Sequence, residues 1–568
     1  MNRKRTLFLA CLAVSRIFCA AQSDKYTQNY PQNYFRHPLN IPMELVANFG
    51  EIRNNHWHMG LDIRTQQRVN LPVYAAADGY IAKVSIEPGG FGQAIYINHP
   101  NGLTTLYAHL NAFAPMLAEY VRAQQYKLQR WEADIDIPAG LFTVKQGDYI
   151  ALSGSTGASQ GPHVHFEIRE TATQKCLNPL LFGFPIPDAV PPTVTRLALY
   201  DRGRSTYLQS PQLFALRKTG ASYTPATVVR TGARRVSFAI SATDRFTNSA
   251  NPNGIYAAST WLDNRLQSEF FLDRISYKET RYINAQVDYR LKTAGGATVQ
   301  HLCPMPGDTS EVYLENTPYG IIDLPDEEPH QVRVAVKDAA GNVSTIEFTL
   351  QYAPALARPY ENTALYQLVP RQVNVFETER FELSTSEYTV YDTVNVTYNL
   401  KELPAPGAVS PLHTFIGASI PTHDSVRVRL LPSVDISGED RNRVVIKSTS
   451  GSRTVVEKAQ WQGPWLAAKF RQFGTFQAFI DNQPPSVNAP LPDLSRATRL
   501  VFTPTDNFHT IKSFRAEIDG QWLLCSNDKG RSWIYRFDEH FPAGTHELKV
   551  TIEDEAGNVT TKSWTVRR

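Results

Sequence analysis

The chain has 568 residues, of which 42% are hydrophobic and 20% are charged, and its formal net charge is +3. This composition is ordinary for a folded soluble protein and excludes the collagen-like and intrinsically disordered classes. The length exceeds that of one compact domain and predicts about three to five domains.

The first 21 residues are typical of a secretory signal peptide. Arg3, Lys4 and Arg5 precede the apolar stretch "TLFLACLAV", and "CAA" before Gln22 has the small-x-small form of a cleavage site. Removing residues 1–21, which hold four basic residues and no acidic one, lowers the formal net charge from +3 to −1. That balance gives no electrostatic reason to expect a nucleic-acid partner. No later apolar run reaches the ~18 residues of a membrane span, so we predict an exported protein of the periplasm or cell envelope without a transmembrane segment.

Few cysteines remain after the predicted cleavage site. Cys176, Cys303 and Cys525 lie far apart in the sequence, and no C-x-x-C pair exists. Neither a disulfide framework nor a thiolate zinc site is therefore predicted. The charged and bulky residues before Cys19 disfavour a lipid-anchored cysteine as the alternative to cleavage.

The pattern of residues 22–190 is mostly that of β-strands. "LPVYAAADGYIAKV" contains Asp-Gly at 78–79 and "AIYINHPNGLTTLYAHL" contains Asn-Gly at 101–102, and both predict hairpins. One helix is predicted inside an insertion at about 112–140, because residues recur at three- and four-residue steps after Pro115, which suits a helix start. These residues are Leu117, Val121, Gln124, Leu128 and Trp131.

Three β-rich domains are predicted after residue 190, with boundaries at 191–352, 353–482 and 483–568. "VKDAAGNVSTIEFTL" from Val336 and "IEDEAGNVTTKSWTV" from Ile552 each predict a strand, a tight turn with glycine at positive φ, and a second strand. A Pro-Pro pair opens the first and third of these segments, and the combination resembles the immunoglobulin-like domains of bacterial exported proteins. The middle segment is predicted to be a β-sandwich, and the alternation in "YTVYDTVNVTYNL" at 388–400 predicts a half-buried strand pair.

Half of the 14 histidines lie before residue 166, which points to a metal or acid–base site there. In a strand, His163 and His165 share one face about 6.5–7 Å apart, so one could bind a metal while the other contacts a water or substrate beside it. His58 and Asp62 form H-x-x-x-D, and imidazole and carboxylate are both good zinc ligands. Taken singly, each pattern also fits ordinary surface or half-buried residues, and His109 fits a satisfied histidine at a strand end.

Together the motifs are specific. "FGEIR", "HMGLD", "VYAAADGYI", "YAHL" and "GDYIALSGSTGASQGPHVHFEIR" follow one another between Phe49 and Arg169. In this order they resemble the lysostaphin/LytM-type zinc endopeptidases of bacterial cell walls. The resemblance implies an antiparallel β peptidase domain at 22–190, with the insertion at about 112–140 as a departure from the family, so that the whole chain is mainly β.

The resemblance also implies residue roles. One Zn²⁺ ion is expected to be bound by His58, Asp62 and His165, with His163 and His109 as catalytic residues beside a metal-activated water, and with the choice of general base left open. Tyr107, Gly157 and Ser159 are expected to contact substrate. Glu167 is expected either to orient a ligand imidazole or to be exposed or structurally paired, and His56 is a weaker competitor for metal binding.

The resulting prediction is an exported zinc metalloendopeptidase that hydrolyses peptide crosslinks of bacterial peptidoglycan. A non-enzymatic scaffold or regulator of other wall hydrolases is one alternative, because the C-terminal β domains are a candidate surface for a cell-envelope protein partner. A protease acting on Gly-rich proteins is another, since it would use the same site. The inserted helix is expected to narrow the cleft, cover it or dock another protein.

Overall fold

The computed structural model describes residues 30–315, 318–402 and 405–568. The predicted signal peptide lies outside these residues. Strands make up most of the regular structure, and β-sheet domains follow the N-terminal one, which confirms the mainly β class. Among the described residues, no helix combines the length and apolar character that a membrane crossing requires.

The first group of strands, here the first unit, is built around one twisted antiparallel sheet of order β1-β4-β13-β8-β7-β6-β10, beside a small sheet β5-β12-β9. Its strands are β1 Leu45–Ala47, β2 Ile52–Arg53, β3 His56–Trp57, β4 Leu61–Arg64, β5 Pro72–Tyr74, β6 Gly79–Ile86, β7 Gln93–Asn98, β8 Leu103–Ala108, β9 Leu110–Phe113, β10 Ala133–Asp136, β11 Thr143–Val144, β12 Tyr149–Ser153, β13 His163–Glu170 and β14 Cys176–Leu177.

One of the two predicted hairpins in this unit is correct. β7 and β8 pair across the Asn-Gly turn, where Gly102 has a φ of +80°. The Asp-Gly hairpin at 78–79 is wrong, because β5 pairs with β12 and β6 pairs with β7, β10 and β11. The Asp-Gly pair suits a tight turn, but β5 pairs with a strand far away in sequence, and β6 pairs with β7 and not with β5.

The predicted helix is α1, Pro115–Leu128. Pro115 occupies the first turn, and Leu117, Val121 and Gln125 are buried against the first unit. The helix ends at Gln129, which adopts a left-handed conformation with a φ of +48°. The rest of the insertion is not helical, since β10 follows and pairs with β6 at the sheet edge.

The second unit contains a 12-stranded sheet whose longest path is β23-β19-β15-β16-β17-β27-β26-β20-β21-β24. Its elements are β15 Thr193–Asp201, β16 Gln212–Thr219, β17 Ser222–Pro225, β18 Val229–Thr231, β19 Arg235–Thr243, β20 Ala257–Leu262, β21 Arg265–Phe271, β22 Arg274–Ile275, α2 Ile283–Gln286, α3 Tyr289–Thr293, β23 Gln300–His301, β24 Tyr313–Glu315, β25 Ile322–Asp323, β26 His330–Lys337 and β27 Val343–Tyr352.

The first and second units share a hydrophobic core and a strand pair. Phe49, Trp57, Met59 and Cys176 of the first unit pack within the core cluster of the second unit. The side chain of Trp57 also donates from Nε1 to Gln286 Oε1 at 2.8 Å. β14 of the first unit pairs with β22 of the second, so the sheet of the first unit continues into its neighbour.

The third unit consists of two five-stranded sheets, β29-β30-β34-β38-β37 and β32-β33-β39-β35-β36, with β28 paired to β31. Its strands are β28 Gln367–Leu368, β29 Val375–Glu377, β30 Phe381–Ser384, β31 Val394–Asn395, β32 Tyr398–Lys401, β33 Leu412–Phe415, β34 Val426–Leu430, β35 Val444–Ser450, β36 Arg453–Lys458, β37 Gln460–Gln462, β38 Trp465–Phe470 and β39 Gly474–Ile480. The strand pair predicted at 388–400 is wrong, because β31 and β32 pair with β28 and β33 instead of with each other.

The fourth unit packs a sheet of order β42-β41-β44-β45 against the pair β40-β43. Its strands are β40 Arg499–Phe502, β41 Ile511–Ile518, β42 Gln521–Trp522, β43 Trp533–Arg536, β44 Thr545–Asp554 and β45 Val559–Arg567. The two predicted Ala-Gly-Asn turns join β26 to β27 and β44 to β45, with φ of +93° at Gly341 and +92° at Gly557. The domain boundaries themselves stay predictions.

The fourth unit folds back onto the first. On α1, the ring of Tyr126 stacks on His540 with 3.7 Å between centroids, and its hydroxyl donates to Asp538 Oδ2 at 2.9 Å. Arg122 forms an ion pair with Glu539 at 3.1 Å. The inserted helix therefore docks the last unit of its own chain.

Candidate metal centre

Two antiparallel strands place the predicted metal ligands opposite each other. β4 pairs with β13 so that Asp62 lies directly across from His165, and directly opposed residues share a face of the sheet. β13 also pairs with β8 on its other side, which brings His109, the residue after β8, beside His165. The apolar residues that alternate with these in β13 are buried in the core of the first unit, so the polar face of the strand looks away from that core.

His58, Asp62 and His165 form a compact group of donor atoms. Asp62 Oδ1 lies 2.9 Å from His58 Nε2 and 2.9 Å from His165 Nδ1, and the two ring nitrogens are 3.0 Å apart. All three side chains are buried. Two imidazoles and one carboxylate are a donor set that zinc uses in hydrolytic sites.

The geometry and the electrostatics of this group fit a small divalent cation. Ligand atoms ~2.0–2.2 Å from one tetrahedral zinc ion lie about 3.3 Å from one another, so the three atoms need to separate by only a few tenths of an ångström. Burial alone would lower the pKa of His165, but Asp62 and Glu167 outweigh it and raise the pKa to about 9. Burial would likewise raise the pKa of Asp62, but the surrounding histidines hold it well below its ordinary value. The group thus favours added positive charge.

Each histidine around the donor group has one ring nitrogen fixed by an oxygen acceptor. Nδ1 of His58, of His109 and of His163 lies 2.8, 2.8 and 2.9 Å from a backbone carbonyl oxygen. His165 Nε2 lies 2.8 Å from Glu167 Oε1. Carbonyl and carboxylate oxygens accept, so these ring nitrogens carry the proton, and the opposite nitrogen of each neutral ring keeps a free lone pair.

His109 and His163 line the cleft beside the donor group. Their ring centroids are 4.7 Å apart, and His163 Nε2 lies 3.4 Å from Asp62 Oδ1. The φ of His109 is +59°, a conformation that non-glycine residues adopt uncommonly and that is concentrated at functional sites. Burial and the neighbouring His163 and His165 lower the pKa of His109 to about 3, so its imidazole is neutral at physiological pH.

Glu167 lies behind His165 and is fully buried. Besides His165 Nε2, it accepts hydrogen bonds from Arg169 Nε at 2.6 Å and from the hydroxyl of Tyr277 at 2.5 Å. Burial would raise its pKa, but Arg169 and His165 lower it to about 2. Glu167 is therefore an ionised acceptor that both orients His165 and is structurally paired, so the two expectations for it hold together.

The three predicted substrate-binding residues lie in different environments. Tyr107 is fully buried, and its hydroxyl accepts from Ala76 N at 2.7 Å, so we correct its assignment to a core residue. Gly157 has a φ of +68° and donates from its N–H to Asp528 Oδ1 of the fourth unit at 2.8 Å. Ser159 lines the cleft.

The donor group opens into a cleft of about 850 Å³. His56 lines this cleft and lies outside the donor group, with Nδ1 donating to a neighbouring carbonyl. Sequence reasoning missed two residues that line the cleft and one that contacts its border. Arg53 Nη2 lies 3.4 Å from Asp62 Oδ2, and Tyr277 donates to Glu167, whereas Lys529, outside the cleft, donates from Nζ to Ser159 O at 2.7 Å. Arg53 lies in the quoted "FGEIR" motif, whereas Tyr277 and Lys529 come from other units and have no sequence signal.

Two family models match the chain. Residues 56–126 and 140–179 match peptidase family M23, and residues 365–481 match a Zu5-like domain. With the geometry above, the first match defines the N-terminal unit as a metallopeptidase domain. More narrowly, it is a peptidase family M23 domain, as the lysostaphin-type motifs predicted.

Individual relatives are similar over the same part of the chain. The "DD-carboxypeptidase/endopeptidase Mpg" of Neisseria meningitidis serogroup B is 36% identical over 131 residues, which are 23% of this chain and 24% of that protein. The "Peptidoglycan DD-endopeptidase ShyC" of Vibrio cholerae is 28% identical over 183 residues, 30% of this chain and 35% of the relative. A solved zinc-containing peptidase from Vibrio cholerae is 27% identical with a TM-score of 0.18, covering 24% of this chain and 37% of that one. The chain thus spans about a quarter of the length of the first of these relatives.

Proposed function

We propose that the chain is an exported zinc endopeptidase that hydrolyses peptide crosslinks of bacterial peptidoglycan. The observation that carries the proposal is the convergence of His58 Nε2, Asp62 Oδ1 and His165 Nδ1 at one side of a cleft, within 3.0 Å of one another. The names of two similar proteins, a DD-carboxypeptidase/endopeptidase and a peptidoglycan DD-endopeptidase, support the substrate class. Because both names describe a DD-endopeptidase, we propose D-Ala–diaminopimelate crosslinks as the target.

In this proposal one zinc ion is held by His58, Asp62 and His165. Zinc at that position supplies Lewis acidity toward the scissile carbonyl and makes a water molecule more acidic. The chain's own contribution is to fix the two imidazoles through Asn48 O and Glu167 Oε1, so that neither ligand has to reorient when the ion binds.

His163 is proposed as the general base. Its Nδ1 proton is held by Gly161 O at 2.9 Å, so its Nε2 lone pair is free to take the proton of the attacking water and then to give it to the leaving amine. His109, neutral and with Nδ1 bonded to Thr156 O, accepts a hydrogen bond at Nε2 and orients the same water. This assignment chooses between the two histidines that the sequence left equivalent.

The decisive experiment incubates the zinc-loaded full-length protein with isolated sacculi and analyses the released muropeptides. Replacing His163 by Ala is expected to lower the rate at least about 100-fold while the zinc content stays near that of the wild type. Replacing His165 by Ala is expected to remove both activity and zinc. His509→Ala, at an exposed position of the fourth unit, is the matched control and should change neither.

Substrate choice separates the proposal from its alternatives. Sacculi with D-Ala–diaminopimelate crosslinks should be cleaved faster than sacculi with Gly-Gly bridges or casein. Preferential cleavage of a Gly-rich protein would replace the proposal by the protease alternative. A wild-type protein that binds zinc but cleaves none of these substrates would favour the scaffold or regulator role.

A further inference from the structure

The second unit and the fourth unit each contain a cluster of three aspartates in matching sequence contexts, and the proposed hydrolytic site uses neither cluster. One aspartate lies three residues before a Pro-Pro pair, one is the aspartate of Thr-Asp-x-Phe, and one begins Asp-x-Ala-Gly-Asn-Val. They are Asp188, Asp244 and Asp338 in the second-unit cluster, and Asp481, Asp506 and Asp554 in the fourth-unit cluster. The intervening chain lengths differ between the two units, so the shared arrangement follows from the fold and not from a fixed spacing.

The second-unit cluster brings three carboxylates together, of which two are buried and that of Asp188 is half-buried. One oxygen from each of Asp188, Asp244 and Asp338 lies within 4.8 Å of the others. Asp244 is 2% exposed and Asp338 is 3% exposed. Burial and the carboxylates of Asp338 and Asp188 raise the pKa of Asp244 to about 7. Negative charges this close and this far from water repel one another strongly.

Several of these carboxylate oxygens are buried without a hydrogen-bond partner. The oxygens without a partner are Asp188 Oδ2 and Asp244 Oδ1 in the second-unit cluster and Asp506 Oδ1 in the fourth-unit cluster. Folded proteins bond nearly all of their buried polar atoms, and an exception calls for an explanation such as an ion. A divalent cation bound by these oxygens would satisfy them and neutralise the repulsion at the same time.

An asparagine holds each cluster in shape. Asn342 Nδ2 donates to Asp338 Oδ2 at 2.8 Å and to the backbone oxygen of Asp188 at 3.4 Å. In the fourth unit Asn558 makes the same two bonds to the equivalent aspartates, both at 2.8 Å. The Ala-Gly-Asn turn of each unit is thereby fixed against the segment that precedes the Pro-Pro pair.

We propose that each cluster is a Ca²⁺ site that ties the segment before its Pro-Pro pair to the Ala-Gly-Asn turn of the same unit. Three carboxylates without nitrogen or sulfur donors suit a hard cation that binds oxygen. Ca²⁺ accepts six to eight oxygens in flexible geometry, whereas Mg²⁺ demands a near-ideal octahedron, and clusters built from three separate segments match the first requirement. Zinc favours the nitrogen-containing donor group of the first unit instead.

Each cluster lies where one unit of the chain leads into the next, which indicates a structural role for the proposed ions. Asp188 lies in the segment that leads from the first unit into β15, and Asp481 directly follows β39, the last strand of the third unit. An ion at either place fixes the direction in which one unit leaves its neighbour. The sites are therefore expected to stiffen the junctions between units and not to take part in hydrolysis.

The test measures Ca²⁺ binding to the full-length, zinc-loaded protein by equilibrium dialysis. The wild type is expected to bind two equivalents at about 1 mM Ca²⁺ or below, and its unfolding temperature should rise with Ca²⁺ and much less with the same concentration of Mg²⁺. Asp244→Asn and Asp506→Asn should each lose one equivalent, and the double variant both. Asp435→Asn, an exposed aspartate of the third unit, is the matched control and should keep two.

A second measurement separates ion binding from a merely structural role. Without Ca²⁺, Asp244→Asn should be as stable as the wild type or more stable, because the substitution relieves repulsion, and only the wild type should gain stability when Ca²⁺ is added. A wild type that binds no Ca²⁺ beyond the zinc site overturns the proposal even if the variants fail to fold. Variants that retain both equivalents, or an equal response to Mg²⁺, also overturn it.

Discussion

His58 and His165 present different ring nitrogens to the candidate metal centre. His58 turns Nε2 inward because Nδ1 is bonded to Asn48 O, and His165 turns Nδ1 inward because Nε2 is bonded to Glu167. The acceptor behind each ring therefore decides which nitrogen is available. Glu167 thus determines which nitrogen His165 presents to the donor group.

Replacing Glu167 by Gln should weaken zinc binding. A neutral amide stabilises the Nε2–H of His165 less than a carboxylate does, and losses of roughly 10–100-fold are typical for such partners of ligand histidines. Competition with a chelator of known affinity measures the change, and circular dichroism checks the fold. Glu119→Gln on the exposed face of α1 is the control, and an affinity within a factor of two of the wild type would contradict the prediction.

Zinc binding should release a proton at neutral pH. Because the pKa of metal-free His165 is raised to about 9, its Nδ1 is protonated at pH 7, and the ion must displace that proton. Apparent affinity should therefore rise about tenfold per pH unit and level off as the pH passes about 9. Calorimetry in buffers of different ionisation enthalpy counts the proton directly. A zinc affinity that is flat between pH 6 and 8 would exclude this role of His165.

At the scale of elements, the register of β4 against β13 determines that Asp62 and His165 lie opposite each other in the candidate site. A shift of one residue would send Asp62 or His165 to the opposite face, and the buried apolar residues of β13 prevent that shift. Two of the quoted motifs made the candidate donor group predictable, because they contain His58, Asp62 and His165 together with the strands that follow or hold them. The pairing of β5 with β12 was not predictable, because these strands lie more than 70 residues apart and local sequence carries no record of such a partner; the Asp-Gly hairpin predicted at 78–79 was therefore wrong.

The inserted helix α1 contacts the first unit with one face and the fourth unit with another. Leu117 and Val121 pack on the first unit, as the periodicity predicted, while Arg122 and Tyr126 contact the fourth unit. The pattern reveals the first face only, because a polar face looks the same whether it meets water or another unit.

Tyr126→Ala should loosen the docking of the fourth unit. The substitution removes a ring stacked on His540 and a hydrogen bond to Asp538, which together contribute on the order of 1–3 kcal/mol. Small-angle scattering should show a larger radius of gyration, and limited proteolysis should cut between the third and fourth units sooner. Tyr149→Phe, at an exposed tyrosine of the first unit, serves as the control. An unchanged radius and cleavage pattern would mean that other contacts hold the unit in place.

At the scale of the molecule, both neighbouring units contact the cleft of the first. Tyr277 of the second unit donates to Glu167, and Lys529 of the fourth donates from Nζ to Ser159 O and from its backbone N–H to Pro88 O. Asp528 and Lys529 do not line the cleft, so they hold its bordering loops without covering it. A sequence motif cannot report such contacts, because they join residues hundreds of positions apart.

Lys529→Ala should therefore weaken substrate binding and leave chemistry intact. The loop around Ser159 loses a bond of 2.7 Å, and we expect KM to rise about 3–10-fold, equivalent to about 0.7–1.4 kcal/mol, while kcat and zinc content stay close to the wild type. Steady-state kinetics on a soluble crosslinked muropeptide distinguishes the two parameters. A rise in activity would instead identify the fourth unit as an inhibitor of the first.

Trp57 and Met59 lie on either side of His58, yet both are buried in the core of the second unit. The backbone that positions the imidazole of His58 is therefore held in place by packing against the second unit, which follows it in the chain. We expect zinc binding at His58 to depend on the folding of the second unit. Thermal unfolding of the second unit should therefore release the zinc ion and abolish peptidase activity in the same transition.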